Sequence, residues 1–234
     1  MTLDTHKLLS TVELSYKRKP ALEPQHADLK RLYECIVGTR SLTVLEFGCG
    51  YSTLVIQEAL NENRRWFENL QEKPVVRNSN MFKGFSVDTD VEWVDECSSK
   101  LTGDTIKIFC SKCNAVQING QTCHVYASVP DVVPDFIYLD GPDPQQVHGW
   151  SMNGLSWGCL ERTPMAADIL LMEPTLIPGT TILIDGRTNN ARFLENNLRR
   201  DWRFRTFEEQ DQTVFYLAEP RLGKVNVVGR DICQ

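Results

Sequence analysis

The chain has 234 residues, of which 41% are hydrophobic, and it carries a formal net charge of −6 at pH 7. This length and composition are typical of one sizeable α/β domain with a buried core, and the negative charge disfavours long duplex nucleic acid as a partner. No apolar run approaches the roughly 20 residues that a membrane-spanning helix needs, so no membrane span is expected.

The first 40 residues form a separate predicted unit, a leader followed by a helix. Apolar side chains near helical spacing predict the helix, and Gly38 is its expected end. The side chains concerned are Ala27, Leu29, Leu32, Tyr33 and Ile36. This segment, residues 1–40, is either a lid over a binding site or simply the first packed helix.

From residue 42 onwards the pattern becomes strand, turn and helix, repeated. Residues 42–45 are a continuous apolar run, which is typical of a parallel strand buried on both faces. Ser52 or Thr53 is expected to cap the helix that follows. Residues 61–83 are polar and irregular, and they predict an insertion or a long loop.

Later segments continue this alternation. Strands are predicted at residues 85–88, 136–140, 181–185, 203–207 and 213–217, and helices at residues 91–100, 165–172 and 191–199. Thr163 and Pro164 are expected to begin the helix at 165–172, and Asn119-Gly120 predicts a hairpin turn within residues 115–126. The alternation predicts that residues 41–234 form a mostly parallel sheet with helices on both faces.

Acidic residues stand where four of the predicted strands end: Glu46, Asp88, Asp140 and Asp185. Ligands of such sheets bind outside the carboxyl ends of the strands. A purely structural protein has no reason to collect carboxylates along one edge. This edge is therefore the predicted binding site.

The first strand leads into the pattern Glu46-x-Gly48-x-Gly50. Two glycines let the backbone turn sharply and approach a ligand closely, although the same pattern also suits a tight strand-to-helix turn without a ligand. A nicotinamide or flavin site would have a third glycine at position 53, where this chain has Thr53. A carboxylate at Glu46 fits poorly beside a pyrophosphate and better beside a positive charge or hydroxyl groups.

Asp88 ends the second predicted strand. A carboxylate at this position can accept hydrogen bonds from both hydroxyls of a ribose. Its separation from Gly50 is longer than the roughly 20 residues usual for that pairing, and the irregular segment at 61–83 accounts for the difference. Alternatively, Asp88, Thr89 or Asp90 merely caps the next helix.

Three segments together resemble the class I SAM-dependent methyltransferase family, where SAM is S-adenosylmethionine. They are residues 44–53 (Val-Leu-Glu-Phe-Gly-Cys-Gly-Tyr-Ser-Thr), 85–88 (Phe-Ser-Val-Asp) and 135–140 (Asp-Phe-Ile-Tyr-Leu-Asp). By element order the resemblance covers roughly residues 40–218. It implies a single Rossmann-like domain that binds SAM, with an antiparallel strand near the C-terminus that residues 213–217 would supply.

The resemblance also implies roles for individual residues. The turn at residues 48–50 would lie against the methionine part of SAM, with Glu46 near its amino end and Asp88 at the ribose. The implied cofactor-binding residues are Glu46, Phe47, Gly48, Cys49, Gly50, Ser52, Thr53 and Asp88. In the family, an acidic residue after the third strand would read the adenine. This sequence has no clear acidic residue at that place, so the adenine contact stays unassigned.

On the acceptor side, the candidate catalytic residues are Asp140, Asp143 and His148. Methylating a hydroxyl needs a base, and a carboxylate or a histidine can serve. Gly141-Pro142 forms a rigid turn that would aim both carboxylates into one pocket. Residues 144–162, with Trp150, Met152 and Trp157, are either a mobile acceptor loop or an ordinary surface loop.

No metal is predicted at this edge. Asp140 and Asp185 are similar to two ligands of the divalent ion in some O-methyltransferases of this class, and Asn189 or Asn190 would have to supply a third. Gly186 stands where that family has its own third ligand. A role for Asn189 or Asn190 as a helix cap is the favoured alternative.

The cysteines give a second, weaker metal pattern. Cys110, Cys113, Cys123 and His124 have part of the spacing of a zinc site. Because adjacent residues of a strand point to opposite faces, Cys123 and His124 would not converge, and buried thiols in a core are favoured. The N-terminus lacks a secretory signal and the eight cysteines are scattered, so we expect a cytoplasmic protein with reduced thiols.

These patterns predict a SAM-dependent methyltransferase that acts on a hydroxyl of a small molecule or a glycan. The alternative is a non-catalytic α/β module that binds a nucleoside or a protein partner. A nicotinamide enzyme is disfavoured by Thr53. The sequence leaves the acceptor and the oligomeric state open.

Overall fold

The computed structural model describes residues 4–16, 19–20, 22–149, 151–152, 154–157, 159, 161–163, 165–221 and 223–233. Its α-helices are α1 (Thr5–Leu9), α2 (His26–Gly38), α3 (Tyr51–Glu68), α4 (Val91–Ser99), α5 (Asp168–Met172) and α6 (Thr188–Asn197). Short 3-10 helices cover Pro144–Gln146, Glu173–Thr175, Glu208–Gln210 and Gly229–Cys233. None of the described helices is long and apolar enough to cross a membrane.

The strands fall into a main sheet and three small ones. The main sheet contains β3 (Thr43–Phe47), β4 (Lys83–Asp88), β5 (Ile106–Cys110), β8 (Phe136–Leu139), β12 (Thr181–Asp185), β13 (Trp202–Phe207) and β14 (Gln212–Leu217). The small sheets contain β1 (Ser15–Tyr16), β2 (Lys19–Pro20), β6 (Cys113–Ile118), β7 (Gln121–Tyr126), β9 (Val147–His148), β10 (Ser151–Met152) and β11 (Leu155–Ser156).

The main sheet confirms the predicted Rossmann-like architecture. Its strand order is β13-β14-β12-β8-β3-β4-β5. Five strands, from β12 to β5, pair in parallel, and β14 and β13 close the other edge in antiparallel pairing. From β3 the chain moves first toward β4 and β5 and then back to β8 and β12. The gap between β3 and β8 is thus the point where the order reverses, and ligands of such sheets bind there.

Two apolar cores cover the two faces of the sheet. One core packs α2 and α3 against Val44, Phe136 and Tyr138. The other packs the β6–β7 hairpin, α5 and α6 against Leu45, Phe47 and further sheet residues. Since both faces are covered, all five residues of β3 are buried, as its continuous apolar pattern predicts.

The predicted hairpin is confirmed and lies in the connection between β5 and β8. Asn119 and Gly120 both have positive φ angles, of 53° and 74°, which is the backbone that a tight two-residue turn requires. β6 and β7 pair in register from Cys113–Tyr126 to Ile118–Gln121, and β9 pairs with β6 on the other side. The hairpin stands where an α/β fold of this type usually has a crossover helix.

Two predicted boundaries are wrong because tertiary contacts override the local pattern. α3 continues to Glu68 through the supposed loop, since the buried Asn63 donates to the backbone carbonyls of Ile36 (3.0 Å) and Ser41 (2.9 Å). α5 begins only at Asp168, because the residues before it are paired with His124 of the hairpin. The N–H of His124 donates to the carbonyl of Met165, and the N–H of Ala167 donates to the carbonyl of His124. Pro164, expected at the start of this helix, lies outside the described residues.

Other local predictions also need correction. The helix α3 is capped by Gly50, and Ser52 and Thr53 lie inside its first turn. Ala27 is exposed on α2, whereas the other four predicted core positions of that helix are buried. Strand β5 was not among the predicted strands. It pairs with β4 at the edge of the sheet, and its mixed burial gives a weak sequence pattern.

Candidate active site

The turn between β3 and α3 packs directly against the turn after β8. Gly48 has a φ of +104°, and a Cβ atom on it would lie 3.2 Å from the backbone nitrogen of Gly141. A Cβ atom on Gly141 would in turn lie 2.6 Å from the Cα of Gly48. Both glycines are therefore required by the close approach of two backbone segments at the point where the strand order reverses.

Glu46 lies beneath this turn and is only 1% exposed. Its carboxylate accepts hydrogen bonds from the hydroxyls of Ser52 (2.5 Å), Thr53 (2.8 Å) and Ser86 (2.5 Å). Burial raises the pKa of Glu46 to about 7, against the opposing effect of these three hydrogen bonds. The hydroxyl of Thr53 also accepts from the backbone N–H of Gly50 at 2.9 Å. Glu46 thus fixes the shape of the glycine turn from below.

Asp88 links the glycine turn to the turn after β4. One carboxylate oxygen accepts from the backbone N–H of Cys49 (3.1 Å), and the other accepts from those of Thr89 (2.6 Å) and Asp90 (3.3 Å). Burial raises the pKa of Asp88, and the backbone hydrogen bonds lower it. The cap of α4 is Asp90, which accepts from the N–H groups of Glu92 and Trp93. Asp88 is therefore not the residue that caps this helix.

Trp93 and Cys49 form one wall beside the turn. The indole N–H of Trp93 donates to the backbone carbonyl of Cys49 at 2.7 Å. The thiol of Cys49 contacts that of Cys97, and this contact, followed by burial, raises the pKa of Cys49. A Cβ atom on Gly50 would meet the Trp93 ring at an ordinary 3.6 Å. These contacts hold Cys49 in place.

Asp140 follows β8 and faces an arginine that was not among the predicted site residues. The guanidinium of Arg187 donates to the backbone carbonyls of Pro142 (3.1 Å) and Asp140, and its Nε lies 3.9 Å from the Asp140 carboxylate. Desolvation raises the pKa of Asp140, Arg187 opposes this effect, and Asp185 adds to it. Because the Asp140 side chain is still 53% exposed, its desolvation is weaker than that of Glu46.

Asp185 is held by two side chains of the sheet. Its carboxylate accepts from the hydroxyl of Tyr138 (2.7 Å) and from the side-chain amide of Gln212 (3.2 Å). Burial raises the pKa of Asp185, and these hydrogen bonds lower it. Both carboxylate oxygens thus have protein partners.

Asn189 and Asn190 point away from the two carboxylates. The buried Asn190 accepts from the backbone N–H of Ala166 at 2.7 Å, and the amide of Asn189 donates to Thr163 at 3.0 Å. The favoured role as a helix cap is wrong for both, since Arg187 caps α6. Within the described part of the chain, no three His, Cys, Asp or Glu side chains are placed to hold a metal ion.

Asp143 and His148 lie in the segment that follows Asp140 and are exposed like it. Asp143 is exposed and precedes the 3-10 helix, where its N–H donates to Gln146 at 3.3 Å. His148 is exposed on β9 and pairs with Asn114 of β6, so it belongs to the small sheet of the hairpin. Trp157 is buried, whereas Trp150 and the side chain of Met152 lie outside the described residues. Which of the three candidates acts as a base stays a prediction.

The cysteine pattern is divided between the core and the surface. The Cys113 thiol lies 3.0 Å from Nδ1 of His124, and both residues are buried. The Cys123 thiol instead approaches the backbone carbonyl of Val116, and the exposed Cys110 approaches that of Thr89. Cys123 and His124 therefore point to different neighbours, as the alternation of a strand predicts.

Two residues that shape the site were not predicted, namely Ser86 and Arg187. Ser86 lies two residues before Asp88 on the same strand, which places it on the same face of β4 as Asp88. Arg187 follows Asp185 by two residues at the end of β12, and a cation at a strand end was an available signal.

No protein-family model matches the chain, and no curated protein matches it either. Among solved structures, it is similar to the O-methyltransferase TomG from Streptomyces achromogenes in complex with SAM, at 11% identity and a TM-score of 0.49, over 91% of this chain and 95% of that chain. It is also similar to an O-methyltransferase from Bacillus cereus in complex with S-adenosylhomocysteine (SAH), at 13% identity and a TM-score of 0.47, over 86% of this chain and 84% of that chain.

A third similar structure is an SAH-bound methyltransferase from Podospora anserina, at 12% identity and a TM-score of 0.49, over 84% of this chain and 80% of that chain. Since these TM-scores are all below 0.5, the function has to be argued from the chain's own residues.

Proposed function

We propose that this chain is a SAM-dependent methyltransferase that binds SAM across the turn at residues 48–50. One observation carries the proposal. The buried carboxylate of Asp88 and the glycine turn meet at 3.1 Å, at the carboxyl ends of two adjacent parallel strands and next to the reversal of strand order. This is where a nucleoside ligand of such a sheet would bind.

Asp88 has the chemistry to hold the ribose. Its three backbone N–H donors favour the ionised carboxylate, which only accepts hydrogen bonds and has about four acceptor sites. The oxygen that faces Cys49 accepts only one of these bonds, so about one of the four acceptor sites is left for a ribose hydroxyl. Glu46 acts beneath the turn as a positioning residue in this proposal, because its carboxylate is already engaged by three hydroxyls.

A dinucleotide fits this turn less well. At the position where a dinucleotide site has its third glycine, Thr53 is buried and its hydroxyl lies between Glu46 and the N–H of Gly50. That N–H is therefore already bonded and is not open to a phosphate oxygen. A carboxylate directly beneath the turn also disfavours a pyrophosphate.

The reaction we propose is methylation of a hydroxyl on a small molecule or a glycan. SAM supplies an electrophilic methyl group on a sulfonium sulfur. The acceptor oxygen forms a bond to the methyl carbon, the sulfur keeps the electron pair of the broken S–C bond, and a base takes the hydroxyl proton. Asp140, Asp143 and His148 are the candidates for that base, and alignment of acceptor and methyl group supplies most of the rate.

The surroundings of Asp140 support its role as a candidate base beside the acceptor. Its carboxyl lies at the end of β8, next to the glycine turn, and it is half exposed, so an acceptor can reach it. Desolvation raises its pKa, which makes the carboxylate a better proton acceptor than an ordinary aspartate. The net charge of −6 supports a small or glycan acceptor rather than a long duplex, and the proposal places the enzyme in the cytoplasm.

Calorimetric titration tests the proposal. Wild-type protein should bind SAM and SAH, the demethylated product, and should not bind NAD at the same concentration. An absence of heat and of thermal stabilisation with millimolar SAM and SAH would refute the cofactor assignment. Binding of SAH together with a complete lack of methyl transfer across a panel of hydroxyl acceptors would favour a non-catalytic nucleoside-binding module.

A further inference from the structure

Tyr126 is the last residue of β7, and its side chain is only 5% exposed. Within the described part of the structure, no atom forms a hydrogen bond with its hydroxyl. Buried hydroxyls are nearly always hydrogen-bonded, since losing water without gaining a partner costs free energy. A buried tyrosine hydroxyl without a protein partner is thus suited to bond a ligand.

The side chain of Tyr126 is held firmly in one place. Its ring stacks against Phe47 with 5.9 Å between centroids, and Phe47 is the last residue of β3. Its backbone N–H donates to the carboxylate of Asp168 at 3.1 Å, and β7 pairs it with Cys113. The position of the hydroxyl is therefore fixed by the sheet, the hairpin and the start of α5.

Charges at both ends of the site act on the Tyr126 hydroxyl. After burial, the carboxylate of Asp88 is the largest cause that raises its pKa, and the guanidinium of Arg187 lowers that pKa. Asp88 ends β4, and Arg187 follows β12. These strands are separated by β3 and β8, which corresponds to about 14 Å at the usual spacing of strands.

Between β4 and β12 are the ends of β3 and β8, where the backbones of Gly48 and Gly141 touch. The stacking on Phe47 independently places the ring at the end of β3. The ring thus lies beside the strand that separates β4, with the proposed ribose contact at Asp88, from β8, with the acceptor edge at Asp140.

We infer that Tyr126 is a cofactor-binding residue whose hydroxyl hydrogen-bonds the amino-acid end of bound SAM. The inference rests on the proposed function and adds a contact from the hairpin side. In that geometry Asp88 holds the ribose, Tyr126 holds the methionyl group, and the sulfur between them is directed to the acceptor edge. Two fixed contacts on either side of the sulfur would align the methyl group for transfer.

The substitution Tyr126→Phe removes only the hydroxyl. We expect SAH to bind about five- to tenfold more weakly, the effect of one lost hydrogen bond. 5′-Methylthioadenosine, which has the nucleoside but no amino-acid group, should bind wild type and variant equally. Unfolding by urea should show unchanged or higher stability of the variant, because the hydroxyl has no protein partner among the described residues.

The control variant is Tyr33→Phe, which removes the hydroxyl of a buried tyrosine on α2, at the opposite face of the sheet. It should leave the affinity for SAH unchanged. Equal SAH affinity of wild type and Tyr126→Phe would overturn the inference and leave the proposed function intact. Equal weakening of SAH and 5′-methylthioadenosine would also overturn it, and failure of the wild type to bind SAH would overturn both.

Discussion

Replacing Glu46 by glutamine should flatten the dependence of stability on pH between pH 5 and pH 8. Glutamine has the shape of the protonated acid, and its oxygen can still accept from the hydroxyls of Thr53 and Ser86. The amide nitrogen would face Ser52 and donate to its hydroxyl oxygen. The substitution thus keeps the contacts of the neutral acid and removes its titration.

The magnitude follows from the pKa of Glu46, which burial raises from 4.5 to about 7. A carboxyl with a raised pKa in the folded state binds its proton more tightly there than in the unfolded state. The stability contributed by the neutral form is complete below pH 4.5 and is lost as pH rises through about 7. At about 1.36 kcal/mol per unit, the loss between pH 5 and pH 8 is roughly 2.5 kcal/mol.

Urea unfolding at pH 5, 6, 7 and 8 would measure this effect in wild type and Glu46→Gln. The difference between the two curves isolates Glu46, since other buried carboxyls with raised pKa values, such as Asp168, are present in both proteins. Glu68→Gln, at an exposed glutamate that ends α3, is the control and should follow the wild type. Parallel curves for wild type and Glu46→Gln would refute the raised pKa.

Four further predictions concern the site. In thermal unfolding, Gly48→Ala should lower the stability of the protein more than Gly103→Ala does. Both glycines have a positive φ, but only a Cβ atom on Gly48 would meet backbone atoms, so equal losses of stability would contradict this reasoning. Asp88→Ala should weaken SAH binding by about 1.5–3 kcal/mol in calorimetry, and unchanged affinity would leave Asp88 a structural role only. Exhaustive EDTA treatment should leave fold and methyl transfer intact, and activity restored by magnesium would argue for a metal site. Asp143→Asn or His148→Ala should slow methyl transfer by about 10²–10⁴ while SAH binding survives, and full turnover in both would shift the base to another group.

The order of the main elements could be predicted because it depends on local patterns. Each buried strand is a short apolar run, and Asn119-Gly120 supports a hairpin through its own backbone preference. The glycine turn and the acidic strand ends are also local, and parallel pairing brings them to one edge. The fold therefore followed from the sequence, and so did the gathering of these residues at one edge of the sheet.

The partners of the site residues could not be predicted, since they come from distant parts of the chain. Glu46 bonds Ser86 of the neighbouring strand, and Asp185 is held by Tyr138 and Gln212. Such pairs depend on strand order and register, which no local pattern encodes. The same holds for α3, whose polar second half is stabilised by Asn63 through carbonyls of the preceding helix and loop.

A crystal structure of the protein with SAH would show directly whether this edge of the sheet binds the cofactor. We expect SAH across the turn at residues 48–50, with a ribose hydroxyl within hydrogen-bond distance of the Asp88 carboxylate and the sulfur directed toward Asp140. SAH bound elsewhere on the protein, or bound at the turn with its ribose away from Asp88, would refute the proposed binding site.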